Sequence, residues 1–253
     1  MFDIEMHEPS AEFACCWNAA GHHLQLRAPD RKPFWIKSSL TPPFLEHFSF
    51  RLGNQLFFVR VEDAEGLLGI PGTRHGLATI AEGCRGHACL MPMNRRGRNW
   101  EPAVAGWGLV ELASGTPIEP FNFVTAERIE MTDWEVHDFA VQVVRDKLTE
   151  SGRKFMSWSG APRINPSIWF VGCDGSEWIV VKAVRYPNSL PAMPDNWSEI
   201  AEHCKQNSQT GHFAAISIAS ADDSFDTSTE RTPLWRGFQM TVRYPGLIRL
   251  DHN

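Results

Sequence analysis

A short basic segment in the first half of the chain carries residue types suited to nucleic acid. Arg95, Arg96 and Arg98 stand within six residues of one another and lead directly to Trp100. Arginine can bind a phosphate through two parallel hydrogen bonds, and a tryptophan ring can stack on an unpaired base. The segment therefore predicts a nucleic-acid contact. The alternative is a solvated turn with the Trp100 ring folded inward.

A second group of ionisable residues lies in the other half. Glu135 follows Thr132 at the spacing of a capping box, in which the hydroxyl and the carboxylate bind the free amides of a first helical turn. The pattern predicts a helix that starts here, with an apolar stripe made of Val136, Phe139, Ala140, Val143 and Val144. Glu135 is thus either a structural residue of this cap or an acid available for chemistry.

The residues after this helix alternate in a way typical of strands and one further helix. The Asp174-Gly175 pair predicts a hairpin turn between two of the strands. The predicted strands span 154–158, 167–173, 178–185, 213–219 and 238–243, and the predicted helix spans 196–205.

This order of elements, together with the segments Pro166-Ser167 and Val180-Val181-Lys182, resembles the PD-(D/E)xK nuclease family, which has the restriction-endonuclease-like fold. The resemblance covers roughly residues 130–220. It implies a mixed sheet flanked by helices. In that family an Asp after the Pro and an acidic residue two positions before the Lys hold Mg²⁺, and a helix glutamate often joins them.

The metal-binding positions of the family are altered in this chain. Lys182 matches the Lys, and Glu135 matches the helix glutamate, so the resemblance implies catalytic roles for these two residues. Ser167 stands where the Asp is expected, and Val180 stands where the acidic residue is expected. Valine has no oxygen for a hard cation, and the chain is therefore expected to hold no metal or other cofactor.

Three carboxylates could restore a metal site if ligands have migrated: Glu135, Asp174 and Glu177. The structural alternatives are a helix cap for Glu135 and turn or solvent positions for Asp174 and Glu177. Lys182 has its own alternative, as a polar residue on a strand.

The first half of the chain predicts a small α+β domain and contains no motif that indicates a particular reaction. Two β-rich runs flank Gly53-Asn54 and predict a hairpin, and a short helix is expected from Thr73. No repeat is visible in the sequence. We place the domain boundary at Arg128, which gives an α+β domain over 1–128 and a nuclease-like domain over 129–253.

Composition and charge limit the class of protein. The chain has 253 residues, of which 43% are apolar, and no run is apolar over the roughly 20 residues that span a bilayer. A net charge of −6 argues against strong nonspecific binding to nucleic acid. The N-terminus lacks a secretory signal, and the spacing of the six cysteines favours reduced thiols. We therefore expect a cytoplasmic protein with no membrane partner.

Three functions remain open. The leading hypothesis is a non-catalytic, nuclease-like protein that acts as a binding or assembly subunit in bacterial nucleic-acid processing or defence, with nucleic acid or a protein complex as its partner. The second is an active Mg²⁺-dependent nuclease with migrated carboxylates. The third is a protein-interaction module without a role on nucleic acid, which the net charge favours.

Overall fold

The computed structural model divides the chain into two compact units, Glu5–Arg128 and Ile129–Asn253. The structure describes residues 9–28, 34–37, 40, 47–173, 175–188, 190–223, 225 and 232–250. Asp174 lies outside them. The described residues form four α-helices and two mixed sheets, so the predicted α+β class is confirmed.

The N-terminal unit is a mixed sheet with two helices. Its strands are ordered β1-β2-β3-β4-β5, and β6 pairs with β4. Strands β3 and β4 are parallel, and the other pairs are antiparallel. The elements are α1 (Ala11–Arg27), β1 (Phe34–Lys37), β2 (Phe48–Leu52), β3 (Gln55–Asp63), α2 (Arg74–Gly83), β4 (His87–Arg96), β5 (Asn99–Pro102) and β6 (Val110–Glu111).

The C-terminal unit is also a mixed sheet flanked by helices, as the sequence predicts. The sheet order is β7-β8-β9-β10-β11, and β12 pairs with β10. Strands β9 and β10 are parallel, and the other pairs are antiparallel. The elements are α3 (Asp133–Glu150), β7 (Lys154–Trp158), β8 (Ile168–Val171), β9 (Ser176–Arg185), α4 (Trp197–Cys204), β10 (Gly211–Ser220), β11 (Met240–Arg243) and β12 (Leu247–Leu250).

The two units share one topology, although the sequence shows no repeat. Each runs helix, three antiparallel strands, helix, a strand parallel to the third, and two strands antiparallel to the fourth. The detail of the pairing also agrees, because β5 and β11 pair with the end of the fourth strand, whereas β6 and β12 pair nearer its start. The repetition lies in the order and pairing of the elements rather than in the identity of the residues.

Helix α1 is an element that the sequence analysis missed. Ser10 caps it by accepting a hydrogen bond from the Phe13 amide at 3.1 Å. Its buried side chains pack with Phe57, Val59 and Val61 of β3.

The hairpin predicted at Gly53-Asn54 is confirmed, because β2 and β3 pair antiparallel on either side of these two residues. Gly53 has φ +58°, a backbone conformation that favours glycine.

In the C-terminal unit the two helices cover opposite faces of the sheet. Ile200 and Cys204 of α4 pack with Trp178 and Val180 of β9. Ile179, which lies between Trp178 and Val180 on β9, points to the other face of the sheet. Helix α3 contacts β9 on that face. The predicted capping box at α3 is confirmed.

The apolar stripe of α3 is displaced from the predicted one. Phe139 and Val143 are only half-buried, whereas His137 and Val141 are buried. The face of α3 that packs against the sheet therefore includes His137 and Val141. His137 occupies a core position that was not part of the predicted apolar stripe.

Candidate functional site

The two positions that would bind metal in a PD-(D/E)xK nuclease lie in neighbouring segments of the sheet. The antiparallel pairing of β8 with β9 matches Ile168 with Ile179, and Ser167 comes immediately before Ile168. Ser167 also donates its amide to the Ile179 carbonyl at 2.8 Å. The alignment of the resemblance therefore refers to Val180 on β9 and to a serine that binds the backbone beside it.

Both positions are filled by structural contacts. Val180 is 1% exposed and belongs to the apolar cluster beneath α4. Ser167 is fully buried, and its hydroxyl accepts a hydrogen bond from the Val181 amide at 3.3 Å. A metal ion would need anionic oxygens at this place, and the two residues offer one neutral hydroxyl that is already engaged.

Lys182 lies on the same face of β9 as Val180, two residues further along. It is half-buried, and burial lowers the pKa of its ammonium group. Its ammonium group makes no ion pair or hydrogen bond with any part of the chain that the structure describes. Partial burial of a cation without a counter-ion costs free energy, and a bound anion would reduce this cost.

Glu135 is held by two sets of structural contacts. Its carboxylate accepts the Thr132 amide at 2.8 Å, and the Glu135 amide donates to the Thr132 hydroxyl at 3.3 Å. The guanidinium of Arg236 donates to both carboxylate oxygens, at 2.7 and 3.0 Å. These contacts agree with the structural alternative for Glu135, a cap residue that is also the partner of a buried arginine.

Glu177 faces away from Lys182. The two residues are five positions apart on one strand, so their side chains point to opposite faces of the sheet. Glu177 instead accepts a hydrogen bond from the Cys173 amide at 3.2 Å and lies 2.6 Å from the His212 ring. It is therefore not positioned to supply a carboxylate at Lys182.

His137 is a residue of the site region that sequence reasoning missed. It is 5% exposed, and neither ring nitrogen has a hydrogen-bond partner among the described residues. Burial, and secondarily the charge of Lys182, lower the pKa of His137 to about 4. The ring is thus neutral at physiological pH. In the sequence only the helical periodicity of α3 could have indicated that His137 is buried.

The N-terminal unit contains similar residue types on its second and third strands. Ser49 pairs directly with Phe58 in the β2–β3 register, and both residues are buried. Arg60 follows Phe58 by two residues on β3.

Arg60 has its own counter-ion. Arg60 is 7% exposed, lies 3.0 Å from the Glu62 carboxylate and donates to the Pro71 carbonyl at 2.7 Å. Arg74, at the start of α2, holds the same carboxylate at 2.6 and 2.9 Å. Burial raises the pKa of Glu62. The hydrogen bonds and charges of Arg74 and then of Arg60 lower it by more, so the pKa of Glu62 is below its ordinary value.

The basic segment spans the β4–β5 hairpin, with Arg95 and Arg96 at the end of β4, Arg98 in the turn and Trp100 in β5. Arg96 and Arg98 are exposed, and Arg95 pairs with Glu12 at 2.6 Å. Trp100 is 8% exposed and belongs to the core of the N-terminal unit. This burial favours the alternative in which the Trp100 ring is folded inward, because the ring packs in the core with α1 rather than facing solvent.

The described residues contain neither a metal-binding cluster nor a helix that could span a membrane. No group of three or more His, Cys, Asp or Glu side chains among them is arranged to hold a metal ion. Within the same residues, no helix combines the length and the apolar character needed to cross a membrane.

A family model described as a domain of unknown function, DUF8840, matches residues 134–250. This segment begins in α3 and ends with β12, so it corresponds to the C-terminal unit and leaves the N-terminal unit outside. No curated protein and no solved structure matches the chain.

Proposed function

We propose that this protein is a non-catalytic, nuclease-like binding or assembly subunit in bacterial nucleic-acid processing or defence. The observation that carries the proposal is the pair Ser167 and Val180. They occupy the two metal-binding positions of the resemblance, and both are buried in structural contacts. A site that has lost its anionic ligands and is packed with protein atoms favours binding over hydrolysis.

The carboxylates that could have replaced the missing ligands support the same proposal. Glu135 is bound by Thr132 and Arg236, and Glu177 lies on the face opposite to Lys182. Using Glu135 as a metal ligand would remove the counter-ion of a buried guanidinium, at a cost of several kcal/mol (roughly 3–5). The active-nuclease alternative therefore has little support from the described residues.

Under this proposal the protein acts in the cytoplasm, with nucleic acid or a protein complex as its partner. The exposed arginines of the β4–β5 hairpin, Arg96 and Arg98, are the candidate contact for phosphates. The net charge of −6 confines such a contact to a local patch. Stable assembly with a protein partner would not require this patch.

A cleavage assay tests the proposal. The purified chain is incubated with Mg²⁺ or Mn²⁺ and with single- and double-stranded DNA and RNA, and Lys182→Ala is the matched control. We expect no cleavage by either protein. Cleavage by the natural sequence that disappears in Lys182→Ala would overturn the non-catalytic proposal.

A binding assay separates the nucleic-acid partner from the protein partner. A chain that contacts phosphates loses affinity steeply as the salt concentration rises, since each contact releases counterions. Binding with this salt dependence supports a nucleic-acid partner, and the absence of binding at low salt favours the protein-interaction alternative.

A further inference from the structure

Strand β12 lies at an open edge of the C-terminal sheet. It pairs with β10 on one side, and no other segment of the described residues forms a backbone hydrogen bond with it. In an antiparallel pair, alternate residues direct their N–H and C=O groups to the partner strand, and the residues between them direct these groups outward. The outer edge of β12 therefore offers backbone donors and acceptors to a further strand.

An apolar groove of about 410 Å³ borders this edge, and β12 supplies three of its own residues to the lining. The floor is buried, since Phe213 and Ala215 of β10 are each 4% exposed, whereas Ile248 of β12 is 54% exposed. Apart from Arg249, the other lining residues are all apolar: Leu190, Pro191, Ala192, Met193, Trp197 and Pro245, together with Leu250. A chain segment laid along β12 would thus have an apolar cleft beside it.

The side chains of β12 alternate between the groove and the opposite face of the sheet. Ile248 pairs with Phe213 of β10, and Arg249 pairs with His212. Residues paired in register point to the same face, and neighbours along a strand point to opposite faces. Ile248 therefore borders the groove with its side chain, whereas Arg249 borders it with its main chain. Arg249 is exposed, and it has no ion-pair partner among the residues that the structure describes.

We propose that the outer edge of β12 binds an extended peptide segment of a partner protein, which adds to the sheet as a further strand. Apolar side chains at alternate positions of this segment fill the groove, and a carboxylate between them pairs with Arg249 on the other face. Main-chain hydrogen bonds supply affinity, and the groove and the arginine supply selectivity, as in other complexes formed by strand addition. The ligand class is an extended apolar–acidic–apolar segment.

Calorimetric titration of the full chain with the peptide Ser-Ile-Glu-Ile-Ser, acetylated and amidated at its ends, tests this edge. The peptide has the proposed alternation and spans about 16 Å when extended, which covers the four residues of β12. The isomer Ser-Ile-Ile-Glu-Ser has the same composition without the alternation, and octan-1-ol has an apolar chain without peptide groups. We expect the first peptide to bind at least about tenfold more tightly than either control.

Variants locate the binding. Ile248→Asp places a charge at the groove and should abolish binding, whereas Val171→Asp, at an exposed position of β8, should not. Arg249→Glu should weaken binding of the peptide at least about threefold and strengthen binding of Ser-Ile-Lys-Ile-Ser by a similar factor. Arg163→Glu makes the same change of net charge at an exposed position between β7 and β8, and it should alter neither affinity.

Methylation of the peptide nitrogens tests the backbone hydrogen bonds. In an added strand the Glu amide and the two Ile amides point in opposite directions, one set to β12 and the other to solvent. Methylating one set should abolish binding, and methylating the other should leave it unchanged. The direction of the added strand decides which set is which.

Several results would overturn the inference. These are no binding of the alternating peptide at millimolar concentration, equal binding of the isomer or of octan-1-ol, unchanged affinity in folded Ile248→Asp, no gain of the lysine peptide in Arg249→Glu, or equal losses with both methylated peptides. Self-association of the chain that Ile248→Asp abolishes would place a second copy, rather than a partner protein, at this edge.

This inference rests on the proposed function, because it names the class of partner that an assembly subunit binds. The two can nevertheless fail separately. Failure of the peptide titration leaves the cleavage assay unaffected, and cleavage that disappears in Lys182→Ala would overturn the proposed function without changing peptide binding, since Lys182 does not line the groove.

Discussion

Glu135 and Arg236, which are 101 residues apart in the sequence, form a two-point ion pair in the C-terminal unit. The side chains are 9% and 2% exposed, so both charges are almost removed from water. The carboxylate also caps α3 through Thr132. The pair thus joins the first turn of α3 to the segment before β11. Glu135, which matches the helix glutamate of the nuclease family, therefore stabilises the fold.

Replacing Glu135 should destabilise the protein strongly. Glu135→Ala leaves the Arg236 guanidinium buried without this counter-ion and removes half of the capping box, for an expected loss of about 3–5 kcal/mol in the free energy of unfolding. Urea unfolding measures it. Asp133→Ala in the same helical turn is the control, because the Asp133 side chain is 91% exposed and should contribute about 1 kcal/mol or less. Equal losses in the two variants would contradict a buried role for Glu135.

The buried histidine of α3 predicts a dependence of stability on pH. The pKa of His137 is lowered to about 4, from an ordinary value of 6.5, by burial and by Lys182. Below pH 6.5 the unfolded chain binds a proton that the folded chain does not bind until pH 4. Stability is therefore unaffected above pH 6.5 and decreases as the pH falls through the window from 6.5 to 4, by about 3 kcal/mol in total.

His137→Phe isolates this contribution from that of the other histidines. The variant keeps a ring in the core and has no group to protonate, so the decrease in stability between pH 7.5 and 4.5 should be smaller than in the natural sequence by about 2–3 kcal/mol. Parallel curves for the natural sequence and His137→Phe would contradict the lowered pKa.

Local signals in the sequence predicted much of the fold. The Thr132–Glu135 box placed the start of α3, the Gly53-Asn54 turn placed the β2–β3 hairpin, and strand β7 has the predicted bounds. Helix α1 was missed although Phe13, Trp17, Ala20 and Leu24 follow helical spacing. The short strands β1 and β12 were missed because four residues carry too little periodicity.

Long-range relationships could not be predicted from one sequence. The hydrogen-bond partner of Glu135 lies beyond four strands and a helix, and the burial of Trp100 depends on its packing in the core shared with α1. The repeated topology was invisible because it lies in the order and pairing of the elements, which no run of similar residues records. Sheet order is a property of the folded chain.

The arginines of the β4–β5 hairpin should differ in their contribution to nucleic-acid binding. Arg96→Ala and Arg98→Ala should each weaken binding and reduce the slope of log affinity against log salt by about 0.7–0.9. Arg95→Ala should have the smallest effect, because Arg95 is paired with Glu12. Stability should change by no more than about 0.5 kcal/mol. Unchanged binding with a lower melting temperature would show that the hairpin has only a structural role.

Restoring the two metal ligands should create a response to metal. Ser167→Asp/Val180→Glu introduces two carboxylates at buried positions in neighbouring segments of the sheet, where their repulsion and desolvation lower stability. Millimolar Mg²⁺ or Mn²⁺ should raise the melting temperature of this variant and leave the natural sequence unchanged, because an ion that binds only the folded state stabilises it. The uncharged control Ser167→Asn/Val180→Gln has similar volume and should not respond. If the charged variant is folded and melts at the same temperature with and without metal, the two positions do not converge as the resemblance to the nuclease family requires. We expect no gain of cleavage, since the orientation of an attacking water depends on residues that these two changes do not restore.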